Sequence, residues 1–382
     1  MRIKKSLFHT ALFLAGLLSS QAALLTVPER SPAFEPPASA EIITPAIFAP
    51  EILGPRPLSA QPIAAAITAQ ANLQAVVNVS IPVSDMAEAL AFYTKVLPFE
   101  KISDVEVFGT DYERLQGLFG IRMRVVQLRL GSETIELIDY LTPGGRPIPV
   151  DSKSNDRWFQ HIAIVLNDMA QAYQHLRQHN VQHASTGPQR LPDYIPAAAG
   201  IEAFYFQDPD GHNLEIIFFP PGKGDPRWQQ PTTQRFLGID HTAIAIANTQ
   251  ASQQFYENLL GLKLAGQSEN YGTEQEHLNN VFGARLLISG LTPPTGPAIE
   301  FLEYLAPAGG RPMPADTKAD DLWHWQTTIS VKDINLAAKR LRQGGAQFIS
   351  PGVVTLPTSK LGFKAGFLVK DPDGHVLRII QR

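Results

Sequence analysis

The 382-residue chain contains no cysteine. Disulfides, thiolate metal sites, cysteine nucleophiles and a lipid-modified N-terminal cysteine are therefore excluded. It also lacks an excess of either charge. The 32 Lys and Arg against 36 Asp and Glu leave a net charge of -4, which gives no electrostatic reason to expect a nucleic-acid partner. No phosphate-cradling glycine loop, serine-elbow motif or basic stripe appears. What is present is 44% apolar against 18% charged residues, enough to bury cores in two or three domains and to rule out wholesale disorder.

The first residues read as an export signal. Arg2, Lys4 and Lys5 precede an apolar stretch from Leu7 to Leu18 that only His9 and Thr10 interrupt. Ser20-Gln21-Ala22 supplies the small residues that a signal peptidase reads, so residues 1–22 are expected to be removed and the mature protein to be periplasmic or secreted. The apolar run is short for a membrane span of roughly 20 residues, so no membrane association is expected after cleavage. Residues 23–72 form a proline-rich arm, with nine prolines between 24 and 66 that deny backbone donors to any ladder.

From about residue 73 the chain repeats itself. FGTDYERLQGLFG (108–120) returns as YGTEQEHLNNVFG (271–283), and IELIDYLTPGGRPIP (135–149) as IEFLEYLAPAGGRPMP (299–314). FYFQDPDGHNLEI (204–216) returns as GFLVKDPDGHVLRI (366–379). Two homologous halves, 73–220 and 235–382, are joined by a Pro- and Gly-rich linker, 221–234. Each half divides again. Asn78, His161, His241 and Gln326 each sit in an alternating strand, followed seven residues later by a helix-capping Asp85, Asp168, Asn248 or Asp333. The layout is strand-helix-strand-strand-strand, four times over.

Alternation decides which side chains share a strand face. His161, Ala163 and Val165 face one way, and Ile162, Ile164 and Leu166 the other. The bulky face is expected to pack on helices, and the face carrying the histidine to border a cavity. Glu136, Glu215 and Glu300 lie in otherwise apolar strands, where a carboxylate is costly unless a cation or strong donors compensate it. Arg146 and Arg311, in the GGRP segments, place an Arg near an anionic substrate or simply decorate a turn. Trp158 and Trp323 read as packing anchors.

The FYTKVL and FYENLLGL helices, the DPDGHNLEI and DPDGHVLRI ends and the strand histidines resemble the vicinal oxygen chelate superfamily. That superfamily includes glyoxalase I, the extradiol dioxygenases and bleomycin- and fosfomycin-resistance proteins. The resemblance covers roughly 73–382 and implies an α+β fold of βαβββ modules paired into two half-open barrels, with a divalent metal held by first and last strands. Carried over residue by residue, it implies Asn78, Glu136, His161 and Glu215 in the first half, with Asn78 the weak ligand. The second half offers His241, Glu300, Gln326 and Arg378, a degenerate site in which Arg378 pairs with Glu300 and stands in for the ion. His324 shares the face of Gln326 and leaves a rearranged second site open. Grouping the ligands within one half rests on analogy, because sites in this superfamily also form between exchanged modules.

The resemblance further implies one divalent ion, such as Zn, Ni, Co, Mn or Fe, chelating two neighbouring oxygens of a small-molecule substrate. Lyase or isomerase chemistry would follow, with Glu215 or Glu136 as catalytic carboxylate. A ring-cleaving dioxygenase is the first alternative. The second is a metal-free protein that binds or sequesters a small ligand. A homodimer is compatible with either.

Overall fold

The computed structural model describes residues 69–70 and 72–382. The expected export signal and nearly all of the proline-rich arm lie outside the described residues; Ala69, Gln70 and Asn72, at the end of the arm, are helical. Among the described residues, no helix is long and apolar enough to cross a membrane.

The four modules appear in the expected order. The first comprises β1 (Leu73–Val83), β2 (Glu100–Phe108), β3 (Arg122–Leu130) and β4 (Glu133–Thr142). The second has β5 (Gln160–Leu166), the two-residue strands β6 (Gln182–His183) and β7 (Gln189–Arg190), then β8 (Glu202–Gln207) and β9 (Asn213–Phe218). The third contains β10 (Phe236–Ile246), β11 (Lys263–Tyr271), β12 (Arg285–Thr292) and β13 (Ala298–Ala306). The fourth runs through β14 (Gln326–Val331), β15 (Gln347–Phe348), β16 (Val354–Thr355), β17 (Ala365–Lys370) and β18 (Val376–Gln381). A helix follows the first strand of every module, and Asp85, Asp168, Asn248 and Asp333 cap these helices by accepting hydrogen bonds from first-turn amides.

The strands form two curled sheets, and neither follows the halves of the sequence. One is ordered β15-β17-β18-β14-β1-β4-β3-β2 and joins the fourth module to the first. The other, β11-β12-β13-β10-β5-β9-β8-β6, joins the third to the second. The antiparallel seams are β1 against β14 and β10 against β5. Each barrel is thus built from one module of each half.

The halves nevertheless cohere, because each strand has two faces. Ile162, Ile164 and Leu166 of β5 pack with Met169, Ala172 and Leu176 of the following helix and with Val79, Ile81 and Leu137 of the first module. The expected assignment of the bulky face to the helices holds. The repeated motifs tie the same layer together: Tyr93 donates to Asp208 at 3.1 Å, and Tyr256 to Asp371 at 3.0 Å. DPDGH therefore does more than turn the chain. Its first Asp also accepts hydrogen bonds from the amides of Asp210 and His212.

The two GGRP segments lock the intermodule connections to each other. Arg146 forks onto Asp321 (Nε–Oδ1 2.9 Å, Nη2–Oδ2 2.6 Å), and Arg311 onto Asp156 (2.9 and 2.7 Å). Each guanidinium also stacks on a Trp ring, Arg146 4.8 Å from the Trp323 centroid and Arg311 4.7 Å from that of Trp158. These arginines fasten one connection to the other, and the two tryptophans anchor the packing as expected.

Candidate metal centre

The seam registers decide which polar side chains meet. In the sheet of modules two and three, Ala243 pairs with His161 and His241 with Ala163 across the antiparallel seam. The flanking parallel ladders set Glu215 beside Ala163 and Glu300 beside Ala243. Small side chains at the paired positions leave room for the imidazoles and carboxylates to converge on the barrel interior. His161 Nε2 lies 3.1 Å from Glu215 Oε2, and His241 Nε2 lies 3.5 Å from the same oxygen. His241 Nε2 is also 3.6 Å from Glu300 Oε1.

In the other sheet, Ser80 pairs with Glu136 and with Gln326, and Thr328 with Asn78 and with Arg378. Glu136 is fully buried and accepts from Ser80 (2.8 Å), Gln127 (2.9 Å) and Arg378. Arg378 also donates to Thr328 (3.0 Å) and Asn78 (3.3 Å), while Gln326 donates to Gln116 (2.8 Å). Burial alone would raise the Glu136 pKa, but Arg378, Gln127 and Ser80 outweigh it and hold the carboxyl below its ordinary value.

This geometry corrects the grouping expected from the sequence. Glu136 and Asn78 do not join His161 and Glu215, and Gln326 and Arg378 do not join His241 and Glu300. Arg378 pairs with Glu136, not with Glu300. The physical reason is the seam: β1 pairs with β14 and β5 with β10, so the two halves exchange modules. His324 is buried with an unpartnered Nδ1, and burial lowers its pKa to about 4. It belongs to no ligand cluster: among the described residues, His161, Glu215 and His241 form the one group whose ligand atoms all lie within 4.8 Å of one another.

Asp240 was not singled out from the sequence. It stands at a register shift between Ile239 and His241, a bulge that lets neighbouring residues turn to the same side. Asp240 accepts from Trp228 Nε1 at 2.7 Å, and its other oxygen lies 3.0 Å from His241 Nδ1. That contact leaves His241 Nε2 directed at the carboxylates, the arrangement in which an outer acid orients a ligating imidazole. An acid immediately before a strand histidine was the available signal, but strict alternation places it on the opposite face.

The residues of the second-and-third-module site fit a divalent ion. His161 Nδ1 and Nε2 and His241 Nε2 are buried without a hydrogen-bond partner, although carboxylate oxygens stand close by. Orphaned buried nitrogens are costly. Two imidazoles and two carboxylates are also a donor set suited to Zn, Fe, Mn, Co or Ni. The first-and-fourth-module site does not fit: Arg378 already supplies the positive charge to Glu136.

Protonation follows from the same contacts. Among the side chains themselves, burial keeps His161 below its ordinary value. His241 is raised well above its ordinary value: burial opposes this, but Glu300, Asp240 and Glu215 outweigh burial. Burial would raise Glu215, yet His161 and His241 lower it to about 2. Glu300 is raised to about 7, chiefly by burial and then by Glu215 and Asp240, against the opposing charge of His241. Ion uptake must therefore expel the His241 proton and, below about pH 7, that of Glu300 as well, so affinity rises with pH, roughly tenfold per unit for each proton released. Calorimetry in two buffers of different ionisation enthalpy should register that release. An affinity unchanged between about pH 6 and 8 would contradict it.

Comparison with known proteins agrees with this architecture. Residues 75–216 and 238–379 each match the Glyoxalase/Bleomycin resistance protein/Dioxygenase superfamily. Among solved structures, glyoxalase I from Zea mays is 16% identical with a TM-score of 0.54, over 80% of this chain and 92% of that one. A putative dioxygenase from Bacillus subtilis subsp. subtilis str. 168 is 14% identical with a TM-score of 0.50, over 81% and 86%. At such identities the likeness concerns the fold alone. No curated protein matches the chain in sequence. With both halves matched and the modules paired into two barrels, the chain belongs to the Glyoxalase/Bleomycin resistance protein/Dioxygenase superfamily.

Proposed function

We propose that this protein is an exported, metal-dependent enzyme of lyase or isomerase type, with one active site in the barrel of modules two and three. The observation that carries the reading is the convergence of His161, His241, Glu215 and Glu300 around unpartnered imidazole nitrogens. These four residues would hold the ion, and a bound divalent ion would supply Lewis-acid polarisation of two neighbouring substrate oxygens. Tyr205 packs its ring 4.8 Å from that of His161 and keeps the imidazole in place. Glu215 is the poorer base, because the two histidines hold it ionised to about pH 2. Glu300 stands outside the tight group of His161, Glu215 and His241, and without an ion its carboxyl is raised to about 7, so it is the carboxylate suited to leave the ion and take up and return a proton. The choice of base thus moves from Glu215, favoured by sequence, to Glu300.

The dioxygenase reading has a specific observation in its favour. His161, His241 and Glu215 alone form a two-histidine, one-carboxylate triad of the kind that binds ferrous ion. One experiment separates the two. The metal-loaded full chain is incubated in D2O with small α-hydroxycarbonyl compounds and, separately, with catechol, each with and without dioxygen. Deuterium entering beside the carbonyl without dioxygen, and falling about 100-fold or more in Glu300→Gln at equal metal content, supports proton-transfer chemistry. Iron-dependent dioxygen consumption with catechol, without exchange into the hydroxycarbonyl compounds, overturns it in favour of ring cleavage. A chain that takes up no divalent ion overturns both and leaves a binding protein.

A further inference from the structure

The wall chemistry around the carboxylates is one-sided. A cavity of about 190 Å³ opens onto Glu215, His241 and Glu300. Leu191, Ile201, Ala203, Leu278 and Ile288 make it largely apolar, and Ser268, Asn270 and Gln275 add neutral polar groups. Apart from the imidazole of His241, its ionisable lining is acidic at neutral pH: Glu215, Asp240 and Glu300, with no Lys or Arg among the lining residues. A wider vestibule of about 820 Å³ shares Asp240, His241 and Glu300 and contributes one cation, Arg227. That guanidinium is already bound to Glu133 at 2.6 Å and stacked 3.8 Å from the Trp228 ring centroid. The corresponding cavity of the other barrel differs, because Arg378 and Arg382 line it.

We infer that the cavity of modules two and three selects small uncharged molecules with an apolar body and rejects anionic ones. The inference rests on the proposed metal site. A divalent ion offsets Glu215 and Glu300, and Asp240 then leaves the chamber with a residual negative charge. An anionic ligand meets that net charge and loses its hydration against apolar walls that carry no Lys or Arg, the bound ion being already outweighed by Glu215, Glu300 and Asp240. A unit charge about 8 Å away, at an effective dielectric constant of about 20, weakens binding roughly 30-fold.

The test compares 4-methylcatechol with 3,4-dihydroxybenzoate, which share one chelating pair of hydroxyls and differ by a carboxylate. Both are titrated calorimetrically into the metal-loaded full chain at neutral pH, and metal content is measured on the same samples. The neutral probe should bind at least about 30-fold more tightly. Ser268→Lys should shrink that ratio to a few-fold by placing a cation in the lining. Equal or tighter binding of the benzoate, or no binding of either probe, overturns the selectivity. If the ion is present and lost in His161→Ala, only the selectivity falls and the metal site stands. If no ion is taken up, both fall together.

Discussion

Replacing His241 with Ala is expected to lower divalent-ion affinity at least about 100-fold, whereas Glu136→Gln leaves metal content unchanged. The contrast separates two groupings of the same residues. Within the halves of the sequence, Glu136 belongs with His161 and Glu215. In the fold it lies in the other barrel, held by Arg378, Gln127 and Ser80. His241 stands 3.5 and 3.6 Å from the two carboxylates that would share the ion, so its loss removes a ligand and unbalances Glu215 and Glu300. Elemental analysis after dialysis, with circular dichroism to verify folding, decides the matter. Loss of the ion in Glu136→Gln would return the site to the first half.

The second large effect concerns the pair that replaces metal in the other barrel. Arg378→Met is expected to destabilise the protein by about 3–5 kcal/mol, because it leaves the Glu136 carboxylate buried without a cation. The double variant Glu136→Gln/Arg378→Met should recover most of that loss, since a buried pair returns little of its desolvation cost. The pH dependence has a definite sign. In the native protein Glu136 is held below its unfolded value, so the stability it contributes is present above the ordinary carboxylate range and lost as pH falls through the lowered pKa. In Arg378→Met burial is opposed only by the Gln127 and Ser80 hydrogen bonds, and that pKa rises. The deficit of the single variant should therefore be greatest near neutrality and shrink in acid. Urea denaturation of the three variants beside the native protein measures it. A single variant as stable as the native chain would show that the pair does not hold this barrel together.

Neither effect depends on the activity assigned to the protein, and together they probe the two barrels separately. One barrel keeps an imidazole-carboxylate set suited to a divalent ion. The other has a fixed guanidinium in its place. A single ion per chain is the expected consequence.

Much of the molecule could be read from contiguous residues. The repeat, the four modules, the capping Asp and Asn residues and the two faces of each first strand all depend on neighbours in the chain, and the structure follows them. The candidate residues His161, Glu215, His241 and Glu300 were likewise visible one by one, as polar groups on strands too apolar to carry them without reason. Sorting all eight by charge also held a clue. The exchanged grouping places the lone cation, Arg378, with Glu136 and unites both histidines with two carboxylates.

Which strand lies beside which was decided only in three dimensions. Modules one and three resemble each other, as do two and four, so their first strands offer similar seam edges. Alternation within β1 says nothing about whether β5 or β14 completes its barrel. That choice depends on long-range pairing and on packing of the helices between the sheets. The bulge at Asp240 has the same character: a register shift arises between two strands, and only the pair of them reveals it. Local sequence thus determined the modules and the chemistry each carries, while tertiary pairing decided which residues share a site, because convergence belongs to the seam between modules and not to any one of them.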